Sequence, residues 1–117
     1  MYQKLIWLAP LLLTLNACTP HPSSGGWRAT SADPLFERLE VRFNGNADFY
    51  TKTNDETAAW RCFWGTADKQ TAELKCIEAD NGEVEKIYML QIDQGGQAAT
   101  LEQGGQVLGR YTWQAPG

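Results

Sequence analysis

Residues 71–92, with the sequence TAELKCIEADNGEVEKIYMLQI, decide the fold of this chain. Apolar and polar side chains alternate on both sides of Asp80-Asn81-Gly82, a pattern typical of two half-buried strands joined by a tight turn. A three-residue turn with Gly82 in the left-handed conformation places Leu74 opposite Tyr88, and it collects more apolar surface on one face than a two-residue turn does. We therefore predict an antiparallel hairpin in this longer-turn register.

Short apolar stretches separated by Gly, Asn and Asp continue over the rest of the chain from Pro34. Asp33-Pro34 is also a suitable start for one helical turn ahead of the first strand. At the last turn, Gln103-Gly104-Gly105, the same reasoning assigns the left-handed conformation to Gly105. These features indicate an all-β domain, a small antiparallel meander that forms either a barrel or a two-layered sheet. Its seven predicted strands lie at about 38–43, 47–52, 57–64, 71–79, 84–92, 97–102 and 106–114.

Two cysteines fall on neighbouring predicted strands. Pairing Cys62 directly opposite Cys76 also places Trp64 opposite Leu74. Directly opposed residues of a non-hydrogen-bonded antiparallel pair lie close enough for a disulfide. The bond would close a loop of about fifteen residues, which the chain-entropy model equates with about 3 kcal/mol of stabilisation. We expect one disulfide, between Cys62 and Cys76.

The alternation divides the large apolar residues into two sets. One set, which includes Ile77, lies on the face opposite to the core. If this face is exposed, it would form an apolar patch to which a partner protein could bind. The candidate binding residues of this patch are Phe63, Ile87, Met89 and Leu108. The alternative is that a two-sided or closed sheet buries both sets. The predicted core is Leu39, Val41, Phe43, Phe49, Trp60, Trp64, Leu74, Tyr88, Leu90, Ile92, Leu101, Val107, Tyr111 and Trp113.

The N-terminal segment has the organisation of an export signal. Lys4 precedes an apolar run over residues 5–15, which is shorter than the roughly 20 residues needed to cross a bilayer. Leu15-Asn16-Ala17-Cys18 follows, and the whole resembles the signal peptide and lipobox of bacterial lipoproteins. The resemblance implies cleavage before Cys18, a diacylglyceryl thioether on its sulfur, and a fatty acyl group such as palmitate on its new amino terminus.

This resemblance also implies a location in the cell. Thr19, in place of Asp, follows the cysteine. By the family's sorting tendency this indicates the outer membrane, with the domain facing the periplasm or the cell surface. Ordinary secretion is the rival interpretation, because Asn16 departs from the residues commonly found at that position.

The leader divides the chain into three parts. Residues 1–17 are the predicted signal peptide, residues 18–33 a lipidated tether and residues 34–117 the small β domain. The tether is predicted because its residues are rich in turn formers and show no periodicity. Trp27, its one large apolar residue, either docks on the domain or sits at the membrane interface.

Charge and residue types exclude several kinds of function. Without the leader's Lys4, nine Lys and Arg face fourteen Asp and Glu, a net charge of −5, and the chain has no basic stripe. Nucleic acid is therefore a poor partner, whereas a cationic partner would be attracted. The single histidine, His21, falls in the predicted tether, so we expect no histidine catalysis, no metal, no cofactor and no enzyme activity.

Residues 101–111, LEQGGQVLGRY, resemble a segment of the membrane-bound inhibitors of c-type lysozyme, in which a Leu-rich strand precedes a Ser-Gly-x-Arg-Tyr stretch. Those proteins are small, often lipidated β-barrels. The main hypothesis is a non-enzymatic, lipid-anchored module that binds another component of the cell envelope. A lysozyme inhibitor is the first alternative, and a barrel that carries a small ligand is the second.

Overall fold

In the computed structural model, residues 21–114 are described, and they fold into one antiparallel β-barrel. The predicted signal peptide and Cys18 lie outside these residues. The predicted all-β antiparallel meander is confirmed. It forms a closed barrel and not a two-layered sheet. The strands are β1 (Gly25–Ala29), β2 (Arg38–Val41), β3 (Asn46–Tyr50), β4 (Trp60–Asp68), β5 (Thr71–Glu78), β6 (Asn81–Ile92), β7 (Ala98–Gln103) and β8 (Gln106–Gln114).

Each strand pairs with the next one in the sequence, and β1 also pairs with β8 to close the barrel. The connections therefore alternate between two ends. We call the N-terminal end the one that contains His21 and the turns 42–45, 69–70 and 93–97. The opposite end contains the connections 30–37, 51–59, 79–80 and 104–105.

The closing strand β1 lies within the segment that was predicted to be a tether. That prediction is wrong for Gly25–Ala29, and no helical turn precedes β2 in the described structure. Trp27 lies opposite Leu39 of β2 and Trp113 of β8, and its side chain is fully buried. Its indole N–H donates a hydrogen bond to the Ser23 carbonyl at 2.9 Å. Trp27 was expected either to dock on the domain or to lie at the membrane interface, and the structure shows that it docks on the domain.

The β5–β6 hairpin confirms the predicted register but not the predicted turn. Leu74 does lie opposite Tyr88. However, the turn is the two-residue Ala79-Asp80, and Gly82 does not have a positive φ. A bulge follows, because Glu78 pairs with Asn81 while Ile77 pairs with Glu85. The extra residues of β6 in this bulge restore the register that the core requires.

The β7–β8 hairpin also contains a bulge. Gly105 has a φ of 81°, which confirms its predicted left-handed conformation, and Gly104 has a φ of 56°. Leu101 pairs with Gly109 but the next residue, Glu102, pairs with Val107. The bulge turns Val107 outward, and its side chain is 57% exposed, so its assignment to the core is wrong.

Most of the predicted core is buried, but Phe43 is 78% exposed. The prediction fails there because β2 ends at Val41 and Phe43 lies in the turn. Trp64 and Trp113 are half-buried against the core. The remaining predicted core residues are buried: Leu39, Val41, Phe49, Trp60, Leu74, Tyr88, Leu90, Ile92, Leu101 and Tyr111.

Aromatic side chains fill the interior near the opposite end. Phe36, from the β1–β2 connection, contacts Phe49 with 5.0 Å between the ring centroids, and Phe49 contacts Tyr88 at 5.3 Å. The Tyr111 hydroxyl donates a hydrogen bond to the Phe36 carbonyl at 2.7 Å. Burial raises the pKa of Tyr111. The hydrogen bond and the ring contacts together fix the connection 30–37 over this end of the barrel.

The disulfide joins β4 to β5 as predicted. Cys62 lies directly opposite Cys76, with their Cα atoms 4.0 Å apart, and Trp64 lies opposite Leu74. Both cysteines are buried. In a domain of this size, the expected contribution of about 3 kcal/mol is a large share of a total stability of about 5–15 kcal/mol.

The close approach of β1 to β8 gives a test of closure. A Cβ on Gly25 would overlap the indole nitrogen of Trp113, and Gly25 has a φ of 131°. We expect Gly25→Ala to lower the free energy of unfolding by about 2–5 kcal/mol, because it combines backbone strain with overpacking. Gly26→Ala is the control, since its Cβ would come no closer than 3.6 Å to the Gln114 carbonyl oxygen.

Denaturant unfolding of both variants measures the difference. A Gly25→Ala protein as stable as Gly26→Ala would contradict the packing of β1 against β8.

Candidate functional site

The outer face of β4, β5 and β6 carries a group of exposed apolar side chains, Phe63, Ile77 and Ile87, which we call the outer patch. Phe63 pairs with Lys75, and Lys75 pairs with Ile87, so these three side chains form a row across the strands. Ile77 lies two residues further along β5, next to both apolar members of the row. The exposed fractions are 72% for Phe63, 40% for Ile77 and 51% for Ile87.

The structure separates the four candidate binding residues of the sequence analysis. Phe63 and Ile87 lie in the outer patch. Met89 follows Ile87 on the same face of β6, but it is half-buried between Glu73 and Glu102. Leu108 lies in the bulge of β8, two strands away, and packs against the core. The period-two alternation of β5 identifies Ile77 as the third exposed residue.

A groove of about 630 Å³ adjoins the outer patch on the side of β3 and β4. Phe63 and Ile77 line it together with Arg61, and Arg61 lies directly opposite Asp48 of β3. The apolar patch thus continues into a polar groove. This combination of an apolar centre with a charged margin is typical of protein-binding surfaces.

Charged side chains of β2, of the β2–β3 turn and of β3 form a ladder beside this groove. Arg38 pairs with Glu40, Glu40 with Arg42 at 2.8 Å, and Arg42 with Asp48. The hydrogen bond to Asp48 raises the pKa of the Arg42 guanidinium. The Arg38 guanidinium also stacks on the Tyr50 ring, 3.7 Å from its centroid. These contacts hold the charged side chains in place on the outer surface.

A second groove, of about 460 Å³, lies over β1 and β2. Gly25 and Gly26 of β1 line it, and Gly26, which alternates with the exposed Arg28, adds no side chain to the outer face there. Arg28 and Phe43 lie at its margins. The groove is on the other side of the charged ladder from the outer patch.

His21 lies against the N-terminal end of the barrel, so its expected position in a free tether is wrong. Its Nε2 donates to the Asp68 carbonyl at 2.8 Å, which leaves Nδ1 as the acceptor of the Ser23 hydroxyl at 2.8 Å. The ring also contacts Trp64, with 5.9 Å between centroids. Local sequence carries no signal for this, because Asp68 and Trp64 are more than forty residues away.

The Ser23 hydroxyl and the His21 ring form the kind of hydrogen bond that joins a catalytic nucleophile to its base, but a substrate has no access to the serine. Ser23 is fully buried, so its hydroxyl cannot reach a substrate. The neighbouring Asp68 carboxylate accepts a hydrogen bond from the Gln70 N–H at 2.8 Å, and this contact lowers the pKa of Asp68. The cluster therefore fastens the N-terminal segment to the β4–β5 turn.

Within residues 21–114, no group of three His, Cys, Asp or Glu side chains is placed to hold a metal ion. The same residues contain no helix that is long and apolar enough to cross a membrane. No protein-family model, curated protein or solved structure matches this chain.

Proposed function

We propose that this protein is a lipid-anchored, non-enzymatic binding module of the bacterial cell envelope, and that the outer patch holds a partner protein. The anchor is a lipid on Cys18 in the outer membrane, with the barrel facing the periplasm or the surface. The observation that carries the binding role is the exposure of Phe63, Ile77 and Ile87 around Lys75 on one face of the barrel. No catalytic residue, cofactor or nucleic acid enters this proposal.

The exposure of these apolar side chains is unfavourable in water, but it favours binding to a partner that covers them. Apolar side chains gain about 1.5–3 kcal/mol each when they are fully removed from water. A partner that covers three of them gains enough to form a specific complex, and the groove margin with Arg61 supplies polar contacts. The anchor raises the effective concentration of the module near membrane-bound partners.

The filled interior weighs against the second alternative, a barrel that carries a small ligand. A carrier needs a cavity inside the barrel. Here the inward-facing side chains are large, and they pack together with almost no exposed surface. Those that are less than 2% exposed include Trp27, Leu39, Phe49, Leu74, Tyr88, Leu90, Leu101 and Tyr111.

Lipidation of Cys18 is the first prediction from this proposal. When the full chain is expressed in a bacterium with a lipoprotein pathway, we expect the mature protein to begin at Cys18 with two or three acyl chains. At about 0.8 kcal/mol per buried CH₂, two or more chains give durable attachment. Mass spectrometry of the N-terminal peptide measures this. A peptide that begins at Met1, or an unmodified Cys18, would contradict the anchor.

Partner binding through the outer patch is the second prediction. A photoreactive residue at position 63 or 87, introduced into the native lipoprotein in intact cells, should cross-link to the same protein. Positions 28 and 110, which are exposed on β1 and β8 across the barrel, serve as control sites and should not cross-link to it. Identification of the cross-linked band by mass spectrometry names the partner.

A pair of matched variants makes this test specific. Ile77→Ser in the outer patch should reduce the cross-linking yield from position 63 about tenfold or more, because a buried apolar contact is lost. Val107→Ser changes an exposed apolar residue on β8, two strands away from Ile87, and should leave the yield unchanged. Equal yields in the two variants, with folding intact, would exclude the outer patch as the binding surface.

Lysozyme inhibition is a second candidate, because a closed barrel is the fold that the resemblance of residues 101–111 implies. These residues form most of the β7–β8 hairpin here. If the candidate is correct, a molar excess of the protein suppresses lysis of a peptidoglycan suspension by a c-type lysozyme. Unchanged lysis rates at high excess would remove this candidate and leave the general binding role in place.

A further inference from the structure

We infer that the barrel stands end-on at the bilayer, with its N-terminal end against the lipid headgroups and Phe43 in the membrane interface. This inference rests on the proposed lipid anchor at Cys18. It assigns a lipid-binding surface, formed by the turns 42–45, 69–70 and 93–97, that is separate from the outer patch.

The chain between the proposed anchor and the barrel is short. Three peptide steps separate Cys18 from His21, and a fully extended chain covers at most about 11 Å in that distance. His21 is itself fastened to the barrel through the Asp68 carbonyl at 2.8 Å and through Ser23. The covalent link is therefore too short to let the barrel turn its opposite end towards the membrane.

The N-terminal end presents one strongly exposed apolar side chain, that of Phe43. Phe43 is a central residue of the β2–β3 turn, and at 78% it is the most exposed of the large apolar side chains among residues 21–114. Such exposure is unfavourable in water, whereas Phe is one of the side chains that interfacial segments bury at the boundary between headgroups and acyl chains. Trp64 and Trp113 lie behind it at the same end, half-buried. Their indole N–H groups donate to the carbonyls of Arg42 and Ser24.

The two ends of the barrel differ in their distribution of charge. The turns of the N-terminal end contain Arg42, Lys69 and Asp93, and Asp68 directly precedes the turn 69–70, so two positive and two negative charges balance. The connections of the opposite end and the β6 bulge beside them carry one lysine, Lys52, against six acids. These acids are Asp33, Glu37, Asp55, Glu56, Asp80 and Glu83. A negatively charged lipid surface would repel that end and accept the neutral one.

This orientation agrees with the position of the outer patch. Phe63, Ile77 and Ile87 lie on the side of the barrel, on strands that run between the two ends. With the N-terminal end against the lipid, the side of the barrel remains open to a partner. A barrel that lay on its side with the outer patch in the membrane would have no such surface.

The test is paramagnetic broadening of backbone NMR signals from the lipidated protein in phosphatidylcholine nanodiscs that contain a gadolinium-chelating headgroup lipid. We expect the amides of residues 43–45 and 93–97 to lose most of their intensity. The amides of residues 79–80 and 104–105 should keep theirs. Strongest broadening at residues 63, 77 and 87, strongest broadening at the opposite end, or uniform broadening would each overturn the inference.

Two matched variants test whether insertion of the Phe43 side chain into the membrane interface fixes the orientation of the barrel. Phe43→Ser should reduce the contrast in broadening between the two ends several-fold, because the interfacial anchor is lost. Phe63→Ser removes a side chain of the same type and similar exposure, 72%, from the outer patch and should leave the contrast unchanged. Equal effects of the two variants would contradict the role of Phe43.

The failure of the anchor and the failure of the orientation give different results. The N-terminal mass shows whether Cys18 carries lipid. If it does not, its thiol, the only one outside the Cys62–Cys76 disulfide, is coupled to a maleimide lipid and the broadening is measured in the same way. Absence of lipid then contradicts the proposed anchor, whereas uniform broadening of the coupled protein contradicts the orientation.

Discussion

Closure of the barrel by its N-terminal strand is the constraint on which the rest of the structure depends. Strand β1 pairs with β2 on one side and with β8 on the other, and it therefore covers the hydrogen-bonding edges of both. Trp27, at its centre, fills the interior between Leu39 and Trp113. Without β1 the sheet would have two open edges and a large cavity. The same strand also follows the segment that contains Cys18, so that closure of the fold and the proposed lipid attachment are linked.

The sequence predicts those parts of the barrel that depend on alternation within one hairpin. The register of Leu74 against Tyr88 and the opposition of Cys62 and Cys76 follow from the requirement that apolar residues share a face. Phe63 and Ile87, with Ile77, are predicted on the outer surface for the same reason. Strong periodic segments thus determine both the centre of the core and most of the candidate site.

Other features depend on contacts that no short window contains. Strand β1 has two glycines and little alternation, so it resembles a linker until its partners β2 and β8 are known. One signal was present: a closed, fully antiparallel meander needs an even number of strands, and only seven were predicted. The bulges in β6 and β8 likewise arise from the fit of the core, and they explain the exposure of Val107 and the separate position of Leu108. The contact of His21 with the β4–β5 turn joins residues that are far apart in the sequence.

Hydrogen exchange of the backbone amides tests whether β1 closes the barrel. In a closed barrel, the amides of Ala29 and Thr30 donate to the carbonyls of Glu37 and Arg110, at 2.9 and 2.8 Å. We expect the amides of residues 26–30 to be protected to a degree similar to those of β2 and β8. Exchange of residues 26–30 at the rate of an unstructured chain, while β4, β5 and β6 remain protected, would contradict closure by β1.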